Sequence, residues 1–168
     1  MTDEPIIIPK WVWIIPVLLV FLILGYTFSP TDQDGRPILL LPDIRAVEEY
    51  RVAIVRWREQ AKELDTQIST ILSGKYGDDL FTRSRESQKM IDAGVRLIQN
   101  IEQKKTPTAA IPARSISLRM ASAYLEAART TLLWTTAPND ENLAKAQYQL
   151  EIARQTLAEL EASEWTTR

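Results

Sequence analysis

The sequence predicts an all-α protein, in which a single N-terminal transmembrane helix is followed by a four-helix bundle or by two antiparallel coiled-coil hairpins. Three observations support this fold class. An uncharged apolar run occupies residues 11–28, and from residue 43 onward apolar residues recur at alternating spacings of three and four. No segment alternates between apolar and polar residues with a period of two, so we expect no β-sheet.

The apolar run is long enough to cross a membrane. Its 18 residues carry no charge, and as an α-helix they would span about 27 Å, close to the thickness of the hydrocarbon core of a bilayer. Aromatic residues stand at both ends of the run, where their rings favour the headgroup boundary. We therefore predict a tail over residues 1–10 and a transmembrane helix over residues 11–28. The predicted membrane-anchor residues are Trp11, Trp13, Tyr26 and Phe28.

A cleaved signal peptide and a buried helix of a soluble domain are the two alternatives for this run. A signal peptide needs a basic first segment and a cleavage site of small residues. Here Asp3 and Glu4 oppose Lys10, and no such site follows the run. Lys10 adjoins the run directly, whereas the first basic residue beyond it is Arg36. This charge distribution favours a cytoplasmic N-terminus and a C-terminal domain outside the cytoplasm.

Helix-breaking residues divide the rest of the chain. Residues 29–42 contain three prolines and one glycine and are predicted to form a linker. After Pro42 the prolines and glycines are few, and they separate segments of helical length. We predict a helical domain over residues 43–168, with helices at about 43–73, 78–104, 113–136 and 139–163.

The first of these helices has the most regular apolar seam, meaning a line of residues at heptad a and d positions. Its members are Val47, Tyr50, Ile54, Trp57, Ala61, Leu64, Ile68 and Ile71. The last helix has a seam in which leucine alternates with alanine. The last two helices are predicted to form an antiparallel hairpin across Pro138.

Three aromatic residues are candidate interaction residues. Tyr50 and Trp57 lie on the first seam, where large aromatic side chains either fill a core or anchor a partner. Trp165 lies beyond the last seam and would be exposed unless the domain or a partner covers it. The sequence leaves both alternatives open for each of the three.

The composition excludes most catalytic and metal-binding chemistry. The chain has no cysteine and no histidine, so it lacks thiolate nucleophiles, imidazole bases and the commonest metal ligands. The adjacent carboxylates of Asp78 and Asp79 are typical of a helix N-cap. The net charge of −2 gives no basic surface for nucleic acid. We therefore expect no catalytic residue, no cofactor, no metal and no nucleic-acid partner.

These features predict a membrane-anchored helical scaffold or accessory subunit that stabilises or recruits partners in a membrane protein complex. The expected partners are the lipid bilayer and other subunits of the complex, or further copies of the chain bound through its helices. The alternative function is that of an extracytoplasmic sensory or ligand-binding helical bundle, in which a small molecule enters between the helices.

Overall fold

The computed structural model describes residues 14–28, 42–74 and 79–166, and its described residues form helices and turns without a strand. The all-helical fold class is therefore confirmed. The chain divides into two compact units, Met1–Arg45 and Ala46–Arg168. The helices are α1 (Ile14–Phe28), α2 (Pro42–Leu72), α3 (Leu80–Gln103), α4 (Ile111–Thr136) and α5 (Asp140–Glu161), with a 3₁₀ turn at Thr108–Ala110.

Helix α1 occupies part of the predicted transmembrane run and has 15 residues. In the part of the chain that the structure describes, no helix is both long enough and apolar enough to cross a membrane. The transmembrane helix predicted over residues 11–28 is therefore not supported by this structure. Tyr26 and Phe28 lie in the last turn of α1. Trp11 and Trp13, the tail and residues 29–41 of the linker lie outside the described residues.

Helices α2 to α5 form a four-helix bundle. Helix α4 packs against both α3 and α5. Two ion pairs join α2 to α5: Lys62 Nζ lies 2.7 Å from a Glu161 carboxylate oxygen, and Arg154 Nε lies 2.8 Å from an Asp65 carboxylate oxygen. Because the first helix of the bundle contacts the last, the helices do not form two separate hairpins. The order of these contacts along the chain shows that α2 and α5 are antiparallel.

The core of the bundle contains the seam predicted for α2. From Tyr50 to Ile71 every member of that seam is buried, and Val47 is partly buried. Helix α4 differs, because Leu118 and Leu132 of its apolar pattern are only partly buried. The most deeply buried positions of α4 include Met120, Ala127 and Thr131. Helix α4 packs against two neighbours, so its buried face is wider than one seam.

Short polar side chains cap the starts of α3 and α5, and a glycine follows the end of α2. The Asp79 carboxylate accepts hydrogen bonds from the backbone N–H groups of Phe81 and Thr82 at the start of α3. A further bond from the Thr82 hydroxyl contributes most to lowering the pKa of Asp79. Asn139 caps α5 in the same way, accepting from the Asn142 N–H at 2.7 Å. Gly74, with φ of +72°, follows the last turn of α2.

Candidate interaction surfaces

The structure places the three predicted interaction residues inside the bundle. Tyr50 is fully buried, Trp57 is 5% exposed and Trp165 is 8% exposed. The Tyr50 and Trp57 rings meet edge to face, with centroids 5.5 Å apart and planes at 83°, a favourable arrangement for two aromatic rings. All three side chains belong to the core of the bundle.

Trp165 is held by the turn that follows α5. The Thr166 hydroxyl lies 3.1 Å from the carbonyl oxygen of Leu160 and 2.8 Å from that of Glu161, and it can donate to either. The guanidinium carbon of Arg51, on α2, lies 6.0 Å from the centroid of the Trp165 ring. Trp165 therefore closes one end of the bundle between α5 and α2.

A polar cluster links three helices near the middle of the bundle. Arg154 of α5 donates to both carboxylate oxygens of Asp65 on α2, at 2.8 and 3.1 Å, and also to the Ser69 hydroxyl at 2.8 Å. The Tyr124 hydroxyl of α4 donates to the same Asp65 carboxylate at 3.4 Å. Burial, and then the adjacent Asp65 carboxylate, raise the pKa of the Tyr124 phenol, which stays protonated.

The contact between α3 and α4 depends on Gly94, which is buried on α3. A Cβ atom added at this position would lie 3.3 Å from the Cα, Cβ and Cδ1 atoms of Leu125 on α4. The Arg83 guanidinium carbon lies 5.9 Å from the centroid of the Trp134 ring, so a cation–π contact links the same two helices. The absence of a side chain at Gly94 thus permits the close approach of α3 to α4.

The most exposed apolar side chain of the bundle is at the start of α3. Phe81 is 78% exposed and its neighbour Leu80 is 54% exposed. We call this pair the α3 apolar patch. The Tyr148 side chain on α5, at 65% exposed, is the other strongly exposed aromatic of the bundle among the described residues. The exposure of Leu80 and Phe81 was not predicted from the sequence, because an apolar residue at the start of a helix can belong either to a core or to an exposed surface.

A groove lies between α2 and α3. Its volume is about 390 Å³, and its floor consists of Leu64, Ala93 and Leu97. Charged and amide side chains of both helices form its walls. We call it the α2–α3 groove. The sequence analysis did not find it, because its wall residues occupy positions that a heptad pattern assigns to solvent.

The described residues offer no group of three or more acidic side chains that could hold a metal ion. No protein-family model, no curated protein and no solved structure matches the chain. Three features of the molecule can therefore indicate a function: the surface of α1, the α3 apolar patch and the α2–α3 groove.

Proposed function

We propose that this chain is a membrane-anchored helical scaffold or accessory subunit, which stabilises or recruits partners in a membrane protein complex. Residues 11–28 anchor it as a single transmembrane helix, and the bundle makes the contacts with other subunits. The observation that carries this proposal is the uncovered apolar surface of α1.

The exposed apolar side chains of α1 surround the helix. Nine of them are between 46% and 72% exposed: Ile15, Val17, Leu18, Leu19, Val20, Phe21, Leu22, Ile23 and Leu24. Residues 17–24 are consecutive and make more than two turns, so they point in every direction around the helix axis. A partner protein on one side would cover only one face, whereas lipid covers all faces. This distribution supports a lipid-facing helix.

The bundle supports a role in protein contacts. Its core is filled by its own side chains, including all three candidate aromatics. The α3 apolar patch adds an exposed aromatic and an exposed aliphatic side chain, which are typical of residues that anchor a partner. We propose that this patch contacts another subunit of the complex.

Charges placed in α1 will release the chain from the membrane. The wild-type chain is expected to stay in the membrane fraction after alkaline carbonate extraction. The double variant Leu19→Arg/Leu22→Arg is expected to be extracted, because each arginine near the centre of a span costs about 2.5–3.5 kcal/mol of insertion free energy. The matched control Gln147→Arg/Gln155→Arg adds the same charges to exposed positions of α5 and should extract as the wild type does. Extraction of the wild-type chain itself would contradict the anchor.

The bundle is expected to lie outside the cytoplasm. Because the chain has no cysteine, a single introduced cysteine reports its own side of the membrane. Ser122 is exposed on α4, and Ser122→Cys should react with a membrane-impermeant maleimide in intact cells or spheroplasts. Thr2→Cys, in the N-terminal tail, should react only after lysis. The reverse pattern of labelling would reverse the proposed orientation.

A further inference from the structure

The charged side chains that line the α2–α3 groove are not paired across it. Ion pairs cross from α2 to α5, as at Asp65–Arg154, and Arg119 of α4 lies 2.6 Å from Glu159 of α5. Side chains of both signs line the α2–α3 groove, and among these described lining residues no ion pair joins one wall to the other. Both walls of the groove therefore carry charged side chains that have no ion-pair partner on the opposite wall.

The charged groups of the groove wall form bonds only within their own helices, or none. Lys89 and Glu86 pair with each other at 2.6 Å on α3. The Glu63 carboxylate on α2 accepts from the Gln67 amide at 3.2 Å. Among the described residues Arg96 has no hydrogen-bond or ion-pair partner, and its N–H groups are available to a ligand. Glu63 and Arg96 line the same groove, and no ion pair joins them.

The chemistry of these groups indicates what could fill the groove. A guanidinium group binds a carboxylate through two parallel hydrogen bonds. The Glu63 carboxylate can accept from an ammonium group. The floor offers a small apolar area, in which Ala93 is partly exposed and Leu64 and Leu97 are largely buried. The amides of Gln60 and Asn100, also on the walls, add donors and acceptors. A volume of about 390 Å³ lies within the range typical of small-molecule sites.

We propose that the α2–α3 groove binds a free amino acid with an apolar side chain. Its carboxylate binds Arg96, its ammonium group binds Glu63, and its side chain rests on Leu64, Ala93 and Leu97. The ligand thereby contacts both helices that line the groove. This inference goes beyond the scaffold role and does not depend on the membrane anchor or on a partner subunit.

Isothermal titration of the full chain in mild detergent with L-valine, L-leucine and L-phenylalanine tests this site. At least one of the three should bind saturably at one molecule per chain, with a Kd of about 1 mM or lower. For the amino acid that binds most tightly, the analogue without the ammonium group and the amide without the carboxylate should each bind at least about tenfold more weakly, because each loses one charged contact.

Two arginine variants of α3 distinguish binding in the groove from a general effect of the charge of the protein. Arg96→Gln should weaken binding at least about tenfold, since it removes the carboxylate partner. Its thermal unfolding should match that of the wild type, because Arg96 is exposed and has no partner in the described residues. Arg85→Gln removes an exposed arginine of the same helix that does not line the groove and should leave binding unchanged. Absence of saturable binding by all three amino acids would overturn the proposal, as would equal binding by the wild type and Arg96→Gln.

Discussion

Replacing Trp57 by alanine is expected to lower the free energy of unfolding of the bundle by about 3–5 kcal/mol, the usual cost of removing a large aromatic side chain from a core. Trp57 is 5% exposed, and its ring packs edge to face against the fully buried Tyr50. The substitution leaves a cavity on the central seam of α2 and also removes the aromatic contact. A loss of this size is a large part of the stability of a domain of ordinary size.

Urea unfolding of a fragment of residues 42–168, followed by circular dichroism, measures this loss. The fragment includes every residue of the core cluster. Tyr148→Ala is the matched control, because it truncates an aromatic side chain that is 65% exposed and should change stability by less than about 0.5 kcal/mol. If the Trp57 and Tyr148 variants unfold alike, Trp57 is not part of the core.

Replacing Gly94 by leucine is expected to destabilise the bundle by about 1–3 kcal/mol, or more, through overpacking. A Cβ atom at this position already meets the Leu125 backbone and side chain at 3.3 Å. The remaining atoms of a leucine side chain have no space there unless α3 and α4 move apart. The same urea unfolding of the 42–168 fragment measures the effect.

Gly94→Ala is the control for this contact, because it adds only a Cβ atom. Alanine improves the helix propensity by about 1 kcal/mol, and the tight contact with Leu125 opposes that gain. We expect a change close to zero. If Gly94→Leu is as stable as the wild type, α3 and α4 do not pack as closely at this position as the structure shows.

The sequence predicted α2 well because the two faces of that helix differ in polarity. Its buried residues all lie on one seam, and the polar residues between them are exposed or partly exposed. The buried face of α4 was harder to predict from the sequence, because it also contains polar residues. Thr131 is fully buried, and its hydroxyl donates to the Ala127 carbonyl of the same helix at 2.8 Å. A search for apolar residues alone does not find a core position of this kind.

The polar contacts between helices could not be predicted from spacing. Asp65 is not a member of the apolar seam of α2, yet its carboxylate binds Arg154, which is 89 residues away in the chain. Whether two such residues meet depends on how α2 and α5 are aligned, and a seam fixes only which face is buried. Trp165 lies beyond the last seam, and the hydrogen bonds of the Thr166 turn bring it onto the core. The groove between α2 and α3 depends on the same alignment of helices.

We expect the chain to act as a subunit of a larger assembly. Light scattering of the full chain, purified from its own membranes in mild detergent, measures the protein mass of the particle that contains it. We expect a mass well above the 19.2 kDa of one chain. Phe81→Ser, in the α3 apolar patch, should lower that mass, whereas Tyr148→Ser on α5 should not. A wild-type particle containing one chain and no other protein would rule out the proposed assembly.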